Sequence, residues 1–585
     1  MKRRPLLQDQ SLFIGSILAF IALIFDFGFQ NNFWHQFLTD TFYVAYGLLF
    51  FIRVRRIISD SPAPRRAQRI SRYIIFGAAG MLVILALLNL TEFAILKRGF
   101  IQPTAGLVLL LAVLDISARV YAIERQTLHP ALAFALSFFL LICIGTMLLL
   151  LPLATRSGIT FVDALFTSTS AVCVTGLAVL DTGRDFTFFG QFIILLLIQL
   201  GGLGMLTFTN LFGLFFRGYG SYRNRLMLKD MINANDMADT FSTLIKIITF
   251  TFAIESIGAI CIYYSVSPDA GGQGGRIFFA IFHAISAFCN AGFSTLSNSL
   301  YEVEYRYNYF LHLSIAGLII LGGIGYSVFI NYYTYIKILL KRYFQRLFKK
   351  EQDTVYRKPA ISTNTRIVIY TSLLLLLAGT AVFYVLEYNN SLADHSGWGK
   401  LVTAFFGSVT TRTAGFNTVD TAALALPTLL VVFLLMWVGA SPGSTGGGIK
   451  TTTFALSLMN IYRQVLGQDR IIFEWKQIPV HALQRATAVI LLSLLGIGSA
   501  IFAVVYFDGQ LGVLPIAFEC ISAYSTVGLS MGITASLSTA SKLTLALAMF
   551  VGRVSFLTLL TGVARQFAPR RHNPLCYPEE DILIN

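Results

Sequence analysis

Four stretches of this chain share a spacing that could coordinate a cation stripped of its water. They are Phe166-TSTSAVCVT-Gly176, Phe282-HAISAFCNA-Gly292, Phe405-FGSVTTRTA-Gly415 and Phe518-ECISAYSTV-Gly528, each with phenylalanine ten residues before glycine. Three carry Ser-Ala at the sixth and fifth positions before the glycine, and the third carries Val409-Thr410 there. Glycine adopts positive φ readily, so a turn at it can aim consecutive carbonyl oxygens at one axis and replace an ion's hydration shell. The residues just before the glycines are Val174-Thr175, Asn290-Ala291, Thr413-Ala414 and Thr526-Val527, small or β-branched groups that can pack behind such carbonyls. None is an acid, which speaks for a monovalent ion, because calcium and magnesium recruit Asp or Glu. The competing reading is that the four loops merely cap a helix bundle.

The elements that must hold these loops are apolar. Of the 585 residues, 56% are hydrophobic and 12% charged, against a norm of about 25% charged for soluble domains. Apolar runs near 12–28, 38–53, 73–96, 104–122, 131–152, 188–216, 242–266, 308–336, 367–388, 427–438, 484–507 and 540–562 mostly approach membrane-spanning length. The chain is therefore read as an all-α polytopic membrane protein. The loop glycines are 116, 123 and 113 residues apart, and a second glycine follows each at Gly201, Gly322, Gly439 and Gly552. This is a fourfold repeat of helix, short pore helix, glycine turn and helix. Because irregular backbone survives at membrane depth only where it lines a cavity or is buried in protein, the loops must face one another. The boundaries read 1–130 for extra amino-terminal transmembrane helices, 131–217, 240–340, 366–462 and 480–566 for the four repeats, and 567–585 for a tail.

The formal net charge of +15 resembles that of a nucleic-acid binder, but its distribution excludes one. Lys and Arg cluster in alternate loops, at 53–72, 217–229 and 337–366, as the positive-inside rule requires of cytoplasmic segments. Twelve crossings with both termini in the cytoplasm satisfy that rule, with Lys97 and Arg98 as the exception. The six cysteines form no CxxC pair and read as small apolar fillers. The seven histidines show no metal-ligand spacing, and no HExxH, GxSxG or paired catalytic carboxylates occur, so no enzyme site is read.

The second helix of repeat 3 breaks at Gly439, Ala440, Ser441, Pro442, Gly443, Ser444, Thr445, Gly446, Gly447 and Gly448, a run that cannot hold an ordinary helix. It should border the pore cavity. With Lys450-Thr451 it nearly spells a nucleotide-binding P-loop, but Ile449 separates the last glycine from the lysine and the flanks are membrane helix. Arg553 sits in an apolar helix just past Gly552, where an ionisable group is costly and reads first as functional, with structural pairing to an acid as the alternative. Arg412, immediately before the third loop's turn, would defeat cation passage if it faced the axis. It is expected to brace the loop from behind, against a carboxylate such as Glu519 or Asp420. Glu255 reads equally as an interhelical hydrogen-bonding group or a pore residue. The outer-side acids Asp163, Asp181, Asp185, Asp269, Asp394, Asp420 and Asp508 read mainly as solvated loop charges that could also concentrate cations.

The segments SAVCVTGL, SAFCNAGFST, TTRTAGFNT and SAYSTVGLS resemble the four filter loops of the Trk/Ktr/HKT superfamily of potassium transporters, most of all the bacterial Ktr/Trk membrane subunits. The resemblance covers about residues 131–585. It implies potassium uptake across a bacterial inner membrane through a single-chain pore, with potassium bound at the filter only. It further implies that the broken stretch of repeat 3 is an intramembrane gate, that Arg553 is the pore arginine beneath the filter, and that the chain pairs as a homodimer. A cytoplasmic RCK-type ring of regulatory subunits, carrying NAD(H) or ATP/ADP on the partner and not on this chain, would dock on the basic loops. In the superfamily a serine at the first filter glycine goes with sodium-preferring plant relatives, and this chain keeps glycine in all four copies. Two alternatives stand beside this: a sodium-permeable or sodium/proton-coupled member, and a non-transporting membrane scaffold or receptor.

Overall fold

The structure is a computed structural model that describes residues 10–28, 33–60, 76–87, 104, 107–108, 111, 130–204, 240–267, 274–348, 361–468, 470–474 and 476–567. Ahead of the first loop lie α1 (Gln10–Gly28), α2 (Phe33–Asp60) and α3 (Phe76–Leu87), which share a small core around Tyr43, Tyr46 and Leu82. Half of the run 73–96 and most of 104–122 lie outside the described residues, as do 217–229 and the tail beyond residue 567.

Repeat 1 consists of α4 (Pro130–Leu149), the pore helix α5 (Phe161–Val172) and α6 (Phe188–Leu203). Repeat 2 follows as α7 (Thr240–Ser265), pore helix α8 (Gly275–Cys289), α9 (Tyr309–Ile324) and α10 (Tyr326–Phe348). Repeat 3 is α11 (Thr363–Leu386), pore helix α12 (Gly397–Thr410), α13 (Leu426–Trp437) and α14 (Thr451–Val465). A hairpin of β1 (Ile471–Phe473) and β2 (Lys476–Ile478), paired in antiparallel register Ile471 to Ile478, leads to repeat 4. That repeat is α15 (Val480–Asp508), pore helix α16 (Val513–Ser525), α17 (Thr539–Val554) and α18 (Phe556–Phe567).

Local chemistry starts these helices where they are needed. Thr160, Thr187, Asn308, Ser362, Ser396 and Ser538 each accept a hydrogen bond from a first-turn backbone N–H, which satisfies a donor the helix cannot. The pore helices are 12 to 15 residues long, too short to span hydrocarbon. Their inner halves are almost wholly buried, and each packs on the second helix of the preceding repeat: α8 on α6, α12 on α9, α16 on α13, and α5 on α17, which closes the ring. The outer helices Ile245–Ser265, Thr363–Leu386 and Val480–Leu511 bury only 28%, 28% and 22% of their apolar windows, so their exposed aliphatic faces suit lipid.

Hydropathy reads 308–336 and 540–562 as single spans, and the structure divides both. The chain turns by 95° between α9 and α10, and by 80° between α17 and α18. The pivots are Gly325 at φ 82° and Ser555 at φ 71°, each three residues past its second glycine, and Gly204 at φ 76° ends α6 at the same place. In repeat 3 that position is Pro442, whose ring forbids positive φ. The helix there stops at Trp437 instead, and the chain continues as an irregular loop.

Candidate ion pathway

The four glycine loops meet at one place and in one order. After each pore helix, the residue two positions before the glycine lies in the left-handed region: Val174 at φ 57°, Asn290 at 60°, Thr413 at 69° and Thr526 at 50°. The glycines follow at φ 95°, 69°, 82° and 91° for Gly176, Gly292, Gly415 and Gly528. Two reversals of hand within three residues turn the strand's carbonyls, and only glycine takes the second without strain. A Cβ on Gly292 would stand 2.7 Å from the Ala414 carbonyl oxygen and one on Gly415 2.5 Å from that of Val527. A Cβ on Gly176 would meet Ala291 O, and one on Gly528 would meet Thr175 O. Loop 1 thus touches loop 2, 2 touches 3, 3 touches 4, and 4 touches 1.

Hydroxyls fasten each strand to its own pore helix. Ser170 and Ser522 accept the backbone N–H of Gly176 and Gly528 at 3.1 and 3.0 Å, and Ser286 donates to Phe293 O at 2.7 Å. In repeat 3, which lacks serine there, Thr410 donates to Phe416 O at 2.5 Å from one residue further on. Thr175, Asn290, Thr413 and Thr526 are fully buried, as are Val174, Ala291, Ala414 and Val527. Among the described residues, the Thr175 and Thr526 hydroxyls find no protein partner, so the ring keeps polar oxygen that a desolvated cation or its water would satisfy.

Beneath the ring, the second glycines admit the ends of the pore helices. A Cβ at Gly201, Gly322 or Gly552 would meet Val172 O, Phe288 O or Tyr524 O, each four residues before a loop glycine. Gly439 departs from this: its close neighbour is Gly447 O, because the chain doubles back there and pairs Val438 with Ile449. The doubled loop hangs on the carbonyl end of α9, where Ser441 N donates to Gly323 O at 3.0 Å, Thr445 N to Gly322 O at 3.4 Å, and the Ser441 hydroxyl to Ile324 O. Those are the carbonyls a helix end leaves unpaired. Thr445 Oγ1 also donates to Phe288 O at 3.0 Å, and Ser444 Oγ to Ser441 O at 2.7 Å. Gly446 and Gly447 come so close to Thr413 Oγ1 and Thr526 Oγ1 that neither has room for a side chain. Pro442, Gly443 and Gly448 complete the loop, the glycines at φ 72° and 66°.

Three cations hold this loop by its carbonyls. Arg553 donates to Thr445 O and, at 2.9 Å, to Gly201 O, joining repeats 1, 3 and 4. Lys450 Nζ donates to Gly446 O at 2.7 Å. Arg412 donates to Ser372 O at 3.2 Å, Ser372 Oγ at 3.3 Å and Gly439 O at 3.4 Å. The carboxylate partner expected for Arg412 is therefore corrected. Glu519 is occupied by Ser530, Met531 N and Thr534, and Asp420 caps the turn at Ala422. Carbonyl dipoles at a helix break do for Arg412 what an acid was expected to do. Arg553 likewise faces carbonyls and not an acid.

The remaining polar residues are mostly tied down. Glu255 takes both contacts of Gln199 Nε2 at 3.2 Å, the interhelical one of its two readings. Asp163 pairs with Lys542 at 2.8 Å and Asp394 with Arg306 at 2.9 Å. Asp181 and Asp185 bond their own loop, and Asp508 accepts Ser538 N; Asp269 lies outside the described residues. Among the described residues, five cysteines are free thiols.

Residues 99–569 match the family model described as TrkH, cation transport protein. The chain is 34% identical to the potassium/sodium uptake protein NtpJ of Enterococcus hirae over 79% of this chain and 98% of that one. It is also 34% identical to Ktr system potassium uptake protein B of Bacillus subtilis, over 77% and 96%. Among solved structures, the potassium transporter TrkH from Vibrio parahaemolyticus superposes with TM-score 0.59 at 16% identity, covering 94% of this chain and 98% of that chain.

Proposed function

The chain belongs to the TrkH family of cation transport proteins, and from that premise we propose that it takes up potassium across a membrane through the ring of four glycine loops. The observation that carries the proposal is the cyclic contact of Gly176, Gly292, Gly415 and Gly528, each preceded by a left-handed residue. Carbonyls presented by such turns select a monovalent ion by replacing its water. The filter is formed by Val174 to Gly176, Asn290 to Gly292, Thr413 to Gly415 and Thr526 to Gly528. The loop Gly439 to Gly448 is the gate, held under the filter by Arg553 and Lys450, with Arg412 as the brace behind it. The expected setting is a homodimer in a bacterial inner membrane with both termini cytoplasmic. A nucleotide-binding RCK-type ring would meet its basic cytoplasmic segments and transmit its state to the gate.

Sodium passage is the second reading, favoured by the Enterococcus relative, a potassium/sodium uptake protein by name. Rubidium and sodium uptake in a potassium-uptake-deficient bacterium separates the two. Rubidium uptake with growth rescue at low potassium supports the proposal; sodium influx without rubidium uptake overturns the selectivity. Absence of any flux from protein present in the membrane leaves a scaffold.

A further inference from the structure

Loops 2 and 4 share a second fastening that stacking the motifs does not expose. Nine residues before its glycine, loop 2 has His283 and loop 4 has Glu519; two residues after, they have Ser294 and Ser530. His283 Nδ1 lies 2.9 Å from Phe279 O, which only accepts, so that nitrogen carries the proton. His283 Nε2 is therefore an acceptor and takes the Ser294 hydroxyl at 2.9 Å. In loop 4 the Ser530 hydroxyl donates to Glu519 Oε1 at 2.5 Å. Each serine also accepts the N–H two residues on, Leu296 at 3.1 Å and Gly532 at 2.8 Å. Two unlike side chains thus perform one task in one register.

Loops 1 and 3 lack it. The corresponding pairs are Thr167 with Ala178 and Phe406 with Asn417. The Thr167 hydroxyl has no partner among the described residues, and the Phe406 ring packs on His312. Because contact runs from loop 1 through 2 and 3 to 4, the two fastened loops are opposite corners. His283 and Glu519 are fully buried and Ser294 nearly so, with Ser530 half-buried, so removing either hydroxyl takes a donor from a buried acceptor, which is costly.

We infer that the Ser294–His283 and Ser530–Glu519 hydrogen bonds pin two opposite corners of the filter from behind, making these four positioning residues for ion selection, while the other two corners keep only the first fastening, Ser170 to Gly176 N and Thr410 to Phe416 O. Glu519 extends the pin outward through Met531 N at 3.2 Å and Thr534 Oγ1 at 3.1 Å, and Thr421 of repeat 3 donates to Ser530 O. A serine freed from its partner lets the strand after the glycine relax, and the carbonyl ring then discriminates less between rubidium and sodium.

The inference rests on the filter reading above, and its test distinguishes the two. Rubidium and sodium uptake are measured for the full chain in potassium-uptake-deficient cells, as the ratio of their half-saturation concentrations, which does not depend on abundance. Ser294→Ala and Ser530→Ala should each lose about tenfold of the rubidium preference, the value of one buried hydrogen bond. Ser294→Thr and Ser530→Thr keep the hydroxyl and should keep the preference, while Asp394→Asn, at the outer pair with Arg306, should leave it unchanged. If Ser530→Ala abolishes uptake, Ser530→Cys and Ser294→Ala carry the test. An unchanged ratio in the alanine variants, or an equal loss in the threonine variants, overturns the pins. A wild-type chain that carries neither ion overturns the filter reading itself.

Discussion

Gly447 offers the sharpest test of the gate. It lies outside the positive-φ region, so the backbone accepts alanine there and the whole cost is steric. An added Cβ would meet Thr526 Oγ1 and stand 3.0 Å from both Thr526 Cβ and Ser525 O. These neighbours belong to a buried turn of the fourth filter loop and cannot withdraw. Overpacking of this kind costs about 1–3 kcal/mol, borne only while the gate loop is seated. Gly447→Ala should therefore shift the balance from seated to withdrawn loop by about 5- to 150-fold. Rubidium uptake into proteoliposomes at matched protein should rise accordingly until the open state saturates. Thr526→Ala removes the obstructing oxygen, so the double variant should return toward the Thr526→Ala rate, a coupling that distant sites would not show. Gly447→Ala uptake equal to or below wild type with unaltered rubidium–sodium preference would refute the seating, as would additivity in the double variant.

Three further outcomes are expected. Gly292→Ser places its Cβ 2.7 Å from Ala414 O and 2.9 Å from the Gly415 Cα, so the rubidium-over-sodium uptake ratio should fall about 5- to 150-fold for a strain of 1–3 kcal/mol. Arg553→Ala removes the bonds to Thr445 O and Gly201 O and a fixed positive charge beside the pathway; initial rubidium uptake should rise, with Arg553→Lys intermediate. Asp163→Asn weakens the pair with Lys542, whose side chains are only 15% and 13% exposed; thermal unfolding in detergent should move to lower temperature by the equivalent of about 1–3 kcal/mol while ion preference is kept.

Spacing made the four loops legible because glycine is the residue a reversal of hand demands, and four copies share it at nearly equal intervals. Arg553 and the broken stretch of repeat 3 were legible for a related reason: a charge and five glycines in ten residues are anomalies inside apolar sequence. The partner of Arg412 was not, because sequence shows charges and not the unpaired carbonyls that a helix break exposes. Nor were the bends at Gly325 and Ser555, since hydropathy runs unbroken through both and serine carries no turn signal of its own. His283 and Glu519 stayed hidden because one is an imidazole and the other a carboxylate; only their common hydroxyl partners reveal the equivalence.

The packing of α5 on α17 has a consequence for biosynthesis. Every other pore helix leans on a segment already made when it leaves the ribosome, but the first must wait for the last. Asp163 and Lys542, 379 residues apart, fasten that seam. Three quarters of the pathway can be inserted and packed while Gly176 still lacks one of its two neighbours. Ring closure is then the most non-local event in folding and the natural slow step. A chain released before α17 would leave the polar backbone of its first loop without its packing partner, so a truncated product is marked as unfinished at the very site proposed to recognise the ion.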